Sequence, residues 1–289
     1  MEIFELRYFL TVAQTQNIHR ASEISNVSPG SLSKAVGRLE EELAVKLFRR
    51  QGRNIYLTDQ GRLLQKRASG LVQMEESTRL EVSGAQGSIQ VVISGPEILL
   101  SKMGIALSLE IKKRHPLAHF KFQGMEEEMA LEQVRKGEAH LALVTGEVSS
   151  GKNLSVKVLE QADFHTYIGR GHPLYADAQQ KKIIPVGTVL QHDFVSPHGG
   201  LLGKVGAKQS LDGWRDDQFP RKITFTAASL KILENIVVKG KAIAYLPDYF
   251  CEDLDLAVLK ISGCPYFCRQ KIKLVARNPK EVSWINQIF

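Results

Sequence analysis

The stretch Asn26-Val27-Ser28-Pro29 constrains this chain more than any other. Serine ahead of proline marks a helix start. The hydroxyl caps open backbone N–H groups, and proline at the first helical position has no N–H to leave unsatisfied. Downstream, Leu32, Val36, Leu39 and Leu43 follow i, i+4, i+7 and i+11, one buried stripe on a helix from Pro29 to about Leu43. Upstream, Asn17 is a candidate cap for a short helix from Ile18 to Ser25. Residues 3–15 read as a first helix, with Phe4, Leu6, Phe9, Leu10, Val12 and Ala13 on its apolar side. A short helix, a tight turn and a capped helix make a helix-turn-helix. The outer face of its last helix carries Gly30, Ser33, Lys34, Gly37 and Arg38. It is small and polar at its start and basic along its length, which suits an end that approaches base edges.

After Leu43 the chain reads as a β-ribbon. Residues 46–50 and 54–57 flank a turn at Gln51-Gly52-Arg53, so Arg53 stands at the tip of a wing, where it can reach a narrow minor groove. Lys46, Arg49, Arg50, Arg53, Arg62, Lys66 and Arg67 face one acid, Asp59, in the window 46–67. Such a patch fits phosphates, although charge alone would fit a solvated face equally well. Thr58 caps a long helix from Asp59 to about Val82. Its apolar residues Leu63, Leu64, Ala68, Leu71, Val72 and Met74 are too few to bury a core unaided, so a partner helix from a second subunit is the expected cover.

A small-residue linker, residues 83–88, precedes a change of pattern. A strand at Ile89–Ser94, a helix from Pro96 to Arg114, a strand at Leu117–Gln123, a helix at Glu126–Lys136 and a strand at His140–Thr145 form βαβαβ, the pattern of a parallel sheet covered by helices. A second alternating set follows, with strands at Phe164–Gly169, Phe194–Ser196, Ile223–Thr226, Ala242–Leu246 and Lys271–Ala276 and helices near 201–212 and 229–239. Two α/β lobes with a cleft between them are the economical reading.

Several classes are set aside. No run of about 18 apolar residues suggests a membrane span, and the N-terminus lacks a basic region followed by a cleavage site, so a cytoplasmic protein is expected. Cys251, Cys264 and Cys268 are an odd set with no histidine nearby to complete a zinc site; they read as reduced thiols, with redox sensing as the alternative. No nucleophile elbow, phosphate-binding glycine loop or metalloprotease motif is present, so no catalytic residue, metal site or cofactor is expected.

LRYFLTVA (6–13), RASEISNVSPGSLSKAVGRLEEEL (20–43) and LFRRQGRNIYLTDQG (47–61) together resemble the LysR-type transcriptional regulators. Weaker echoes continue in KKRHPLAHF, VRKGEAHLAL, GHPL and VVKGKAIAYLP. The resemblance implies a multidomain chain: an α-rich winged helix-turn-helix (1–58), a linker helix that dimerises (59–87) and a two-lobed α/β effector domain like a periplasmic solute-binding protein (88–289). Lobe I would be about 88–161 and 277–289, and lobe II about 162–276, with crossings near Glu160–Asp163 and Arg277–Glu281. It implies a regulator of promoter DNA, homodimeric and often tetrameric, controlled by a small effector, with RNA polymerase as a candidate partner. A cytoplasmic solute-binding protein and a redox-responsive regulator without an effector are the alternatives.

The DNA contacts are expected at Ser28, Pro29, Gly30, Ser31, Ser33, Lys34, Arg38, Arg50 and Arg53. The family often has glutamine and another polar residue where this chain has Pro29 and Ala35, and neither proline nor alanine can read a base by hydrogen bonds. Effector contacts are expected at strand ends facing the cleft: Ser94, Gly95, Pro96 and Thr145 in lobe I, and Ser196, His198 and Thr226 in lobe II. Two helix N-termini, after Pro96 and near 201, would present free N–H donors there, which favours an organic anion. Glu97 would oppose it.

Overall fold

The computed structural model describes residues 1–51, 54–83, 89–148, 154–203, 210–265, 267–279 and 282–289. Helices α1 (Ile3–Thr15), α2 (Ile18–Ser25) and α3 (Pro29–Glu42) pack around Leu6, Phe9, Val12, Leu32, Val36 and Leu39. Asn17 accepts from the Arg20 N–H and Ser28 from the Ser31 N–H, so both expected caps form. Asn26 adopts a left-handed conformation (φ 52°) and turns the chain between α2 and α3. Two expectations about the apolar faces need correction. Phe4 is exposed and lies beneath the Arg38 guanidinium, 5.8 Å from the ring centre. Leu43 is exposed because α3 has already ended at Glu42. Ala35 is buried in the core.

The wing pairs β1 (Phe48–Gln51) with β2 (Asn54–Leu57) antiparallel. Glu40 fastens it to α3 by accepting from the Leu47 and Phe48 N–H groups and the Lys46 ammonium. Helix α4 (Asp59–Ser83) starts against the same ribbon. A Cβ on Gly61 would lie 2.1 Å from the Leu47 carbonyl oxygen, so this contact requires glycine. Leu64, Ala68 and Val72 of α4 join the α1 core, whereas Leu63, Leu71 and Met74 are exposed.

The rest of the chain is built on a curled, seven-stranded sheet in the order β10 (Ala244–Pro247), β6 (Leu154–Gly169), β13 (Arg269–Arg277), β5 (Leu141–Val144), β3 (Gln90–Gly95) and β4 (His119–Gly124), with β11 (Leu256–Val258) also on β6. In lobe I, β3 (Gln90–Gly95) lies between parallel β4 (His119–Gly124) and β5 (Leu141–Val144). The β3–β4 connection is α5 (Glu97–Leu99), a π turn (Leu100–Gly104) and α6 (Ile105–Arg114); α7 (Glu127–Lys136) joins β4 to β5. The 16-residue β6 (Leu154–Gly169) then leaves the lobe. Lobe II adds α8 (Tyr175–Gln179), β7 (Ile183–Pro185), α9 (Val186–Val189), β8 (Asp193–Pro197), β9 (Lys222–Ala227), α10 (Leu230–Val238), β10 (Ala244–Pro247), α11 (Asp248–Cys251), β11 (Leu256–Val258) and β12 (Lys260–Ser262). Strand β13 (Arg269–Arg277) returns to lobe I, where α12 (Ser283–Asn286) follows.

Strand β6 changes partner from β13 to β10 at Asp163–Phe164, beside the expected first crossing. The return crossing is corrected. Lys273–Ala276 already pair with β5 of lobe I, so the chain crosses at about 269–273, not at 277–281. A nine-residue strand spans about 30 Å, enough for β13 to belong to both lobes, which a reading of one strand per lobe overlooks. The helix expected near 201–212 is also absent from the described part: residues 201–202 and 211–213 form turns and a bend, and 204–209 lie outside the described residues. So do Gly52, Arg53, the linker residues 84–88 and Glu281.

Candidate nucleic-acid interface and interlobe cleft

The start of α3 is open. Ser28, Gly30, Ser31, Ser33 and Lys34 are exposed and Pro29 is half-buried. A concavity of about 470 Å³ gathers Pro29, Gly30 and Ser33 with Asn17, Ile18 and His19 from the start of α2 and Arg50 and Ile55 from the wing. Arg50 and Ile55 are register partners across the ribbon. Sequence reasoning missed Asn17 and His19 as members of this surface; the cap at Asn17 was the available signal, because it fixes where α2 begins.

The basic patch is narrower than its composition suggests. Lys46 is bound to Glu40 at 2.6 Å, and Arg62 is paired with Asp59. Arg38 donates to Glu5 at 2.6 Å. Glu5 is buried; burial alone would raise its pKa, but bonds from the Glu2 backbone and Arg38 hold it below the usual carboxylate range. Lys34, Arg49 and Arg50 have no acidic partner among the described residues and remain exposed. The wing tip at Arg53 lies outside the described residues.

The cleft is built differently. Ser94 is fully buried and donates to the Leu141 carbonyl at 3.3 Å. The Gly95 carbonyl accepts from Met125, and that of Pro96 accepts from Leu99 and Leu100. Thr145 is buried; its N–H and hydroxyl both donate to Glu127, at 2.9 and 2.6 Å, and the Gly146 N–H donates to the other carboxylate oxygen at 2.8 Å. In lobe II, Ser196 is buried, His198 is exposed, and Thr226 is exposed on β9. The lobes touch beside these residues. A Cβ on Gly203 would lie 2.8 Å from both Glu127 Oε1 and Thr145 Oγ1. Gln270 of β13 donates to the Leu202 carbonyl, and Leu202 is fully buried.

The two expected helix starts fare differently: α5 begins at Glu97, directly after Pro96. Among the described residues no helix begins near 201, and the donors at the end of β5 already hold the chain's own carboxylate. Glu127 and Gln270 stand at this contact between the lobes and were missed by sequence reasoning. Only Glu127 left a signal, as an acid in the first turn of α7.

Behind the cleft, Arg221 is buried with Asp212 and binds both its oxygens, at 2.7 and 3.1 Å, while also reaching Asp216 at 2.7 Å. Trp214 and Phe194 flank its guanidinium. Two of the three thiols, Cys251 and Cys268, are buried. Burial pushes Cys251 far up and Cys268 up to about 11, so both stay protonated at neutral pH. Among the described residues no cluster of side chains could hold a metal ion, and no helix is long and apolar enough to cross a membrane.

A helix-turn-helix with a wing, joined by a long helix to a two-lobed α/β unit, defines a DNA-binding transcription regulator with a sensor domain. Residues 3–62 match the bacterial regulatory helix-turn-helix protein of the lysR family, and residues 86–281 match the LysR substrate binding domain. The chain belongs to the LysR family. It is 24% identical over 252 residues to the transcriptional dual regulator GltC of Bacillus subtilis, covering 86% of this chain and 81% of GltC. Among solved structures, a full-length OxyR variant of Pseudomonas aeruginosa is 20% identical with a TM-score of 0.69, covering 100% of this chain and 92% of that one. Full-length LysG of Corynebacterium glutamicum with its bound effector Arg is 17% identical with a TM-score of 0.64, covering 99% and 96%. These likenesses concern fold; the family match carries the function.

Proposed function

We propose that this regulator binds promoter DNA in the cytoplasm as a homodimer, itself able to pair into a tetramer, and acts by binding rather than by catalysis. The division is a DNA-binding unit (1–58), a linker helix (59–87) and an effector unit, with lobe I at 88–161 and 273–289 and lobe II at 162–272. Ser28, Pro29, Gly30, Ser31, Ser33 and Lys34 enter the major groove, and Arg50 holds the backbone. Arg38, bound to Glu5, serves more to orient α3 than to touch DNA. The carrying observation is the open concavity at the start of α3, with Lys34 and Arg50 beside it and without an acidic partner among the described residues. Exposed Leu63, Leu71 and Met74 on α4 support a second copy as the cover of that helix. A small effector between the lobes biases their arrangement and RNA polymerase reads the result on DNA; that arginine is the effector of the similarly folded LysG supports a small-molecule role for this cleft.

The test is fluorescence anisotropy of the full-length protein on a duplex selected from a random pool. Arg50→Ala is expected to weaken binding about tenfold and to lower the slope of log K against log salt by about 0.9. An unchanged affinity and slope would assign Arg50 to surface solvation and remove the wing from the interface.

A further inference from the structure

The first turn of α3 carries little side-chain chemistry for reading hydrogen bonds. Pro29 and Gly30 have no polar side-chain atom. The hydroxyls of Ser28 and Ser31 lie 2.8 Å apart and bond to each other, and Ser28 Oγ also accepts from the Ser31 N–H. Asn17, on the same concavity at the start of α2, has its Oδ1 engaged by the Arg20 N–H. The fork of acceptor and donor with which an asparagine reads adenine is therefore already half used.

Apolar surface takes the place of those donors. The concavity of about 470 Å³ at this end of α3 is lined by Pro29, Ile18 and Ile55, one each from α3, α2 and the wing, and all three are half-buried. Ile18 also packs on the core of Val12, Ala21, Leu32 and Val36, which fixes its position. Gly30 belongs to the same lining, and a Cβ there would meet nothing closer than Ser28 Oγ at 3.9 Å. The fold thus has room for a side chain at Gly30, and glycine weakens a helix relative to alanine. Its bare backbone leaves the Pro29 ring open to close approach. Beside this apolar lining, Lys34 and Arg50 are exposed and have no acidic partner among the described residues.

A DNA major groove presents donors, acceptors and one apolar group, the 5-methyl of thymine. We infer that Pro29, backed by Ile18 and Ile55, reads thymine through that methyl, so that the first turn of α3 selects an apolar group rather than a hydrogen-bonding pattern. This rests on the reading that the start of α3 enters the major groove. Contact between the methyl and the proline ring removes water from both and strands no polar group. Cytosine at the same place leaves the space unfilled. Arg50 holds the backbone whichever base is present, so it supplies affinity while Pro29 supplies discrimination.

The experiment is fluorescence anisotropy of the full-length protein on a duplex selected from a random pool. Each thymine of the bound site is replaced in turn by deoxyuridine, which keeps the hydrogen-bonding groups of thymine and lacks the methyl. At one position or more, the replacement is expected to weaken wild-type binding about fourfold, the equivalent of one buried carbon. In Pro29→Ser the ratio of thymine to uracil affinity is expected to fall to about one, with the slope of log K against log salt unchanged because no phosphate contact is lost. A merely structural proline would weaken both duplexes equally and keep the ratio at about four, which overturns the inference. So does a wild type indifferent to every uracil replacement. Circular dichroism checks that Pro29→Ser folds. Should it not, Pro29→Gln, which places there the residue that the family often carries, makes the same comparison with the same expected ratio. Failure to bind any selected duplex overturns the inference together with the reading of α3 as the helix in the groove. Tight binding without a difference between thymine and uracil overturns the inference alone.

Discussion

The start of α3 and the cleft between the lobes were both expected from the same kind of signal, small polar residues where a helix begins, and the structure treats them oppositely. Around α3, Ser33 and Lys34 are exposed, and the hydroxyls used internally, Ser28 and Ser31, bond to each other while Ser28 caps its own helix. In the cleft, Ser94, Thr145 and Ser196 are buried, and all three are bonded within their own lobe. A surface for a large, rigid, highly charged partner can stand open, because DNA arrives with its shape already set. A small ligand has to be enclosed, so its site is assembled from groups that must find partners whenever the ligand is absent. Polar residues of the cleft therefore bear on stability, and those of α3 on binding.

The largest test of that contrast is Arg221→Met. It leaves Asp212 fully buried without its cation, and a loss of about 3–5 kcal/mol of unfolding free energy is expected. Denaturant unfolding measures it. A loss below about 1 kcal/mol would mean that lobe II tolerates unpaired charge, and the contrast would fail.

A second test uses acid. Burial, with the Arg277 charge, pushes His140 down to about 4, and burial, with the nearby His192, does the same to His172. Both groups are depressed from 6.5, so the unfolded chain binds more protons between pH 6.5 and 4. Their stabilising contribution is complete above pH 6.5 and is lost as pH falls through that window, by about 1.4 kcal/mol per pH unit for each histidine. The DNA-binding unit carries only His19, which is exposed. Melting followed by tryptophan fluorescence, with Trp214 and Trp284 both in the effector unit, should shift downward with acid while the helical signal of α1–α3 persists. Coincident loss of both would show that the two units unfold as one.

The smallest effect is at the α3 cap. Ser28→Ala is expected to lose about 1 kcal/mol of stability through the Ser31 N–H. It should also weaken DNA binding, since Ser28 lies in the proposed interface, whereas Lys34→Ala should weaken binding alone. If Lys34→Ala destabilises the chain as much as Ser28→Ala does, the open face is not open.

Legibility followed the range of the interactions. The helices α1 to α3, the caps at Asn17 and Ser28 and the wing depend on neighbours close in the chain, which periodicity and capping chemistry report directly; in the βαβαβ lobe the same local signals report each element, while β3 pairs with strands far along the chain. The misreadings are long-range. Composition counts Lys46, Arg62 and Arg38 as free cations, but Glu40, Asp59 and Glu5 neutralise them in the fold. Periodicity makes β13 one strand, but only its pairing with β5 and β6 reveals that it serves both lobes. What the sequence determined by itself was the kind of protein, because its motif is local in the chain. Which polar groups stay open and which close on one another was decided only by tertiary structure. Glu127 meets Thr145 across 18 residues, and Gln270 meets the Leu202 carbonyl across 68. Hydrogen bonds and Coulomb forces act on distance in space, which spacing along the chain does not encode.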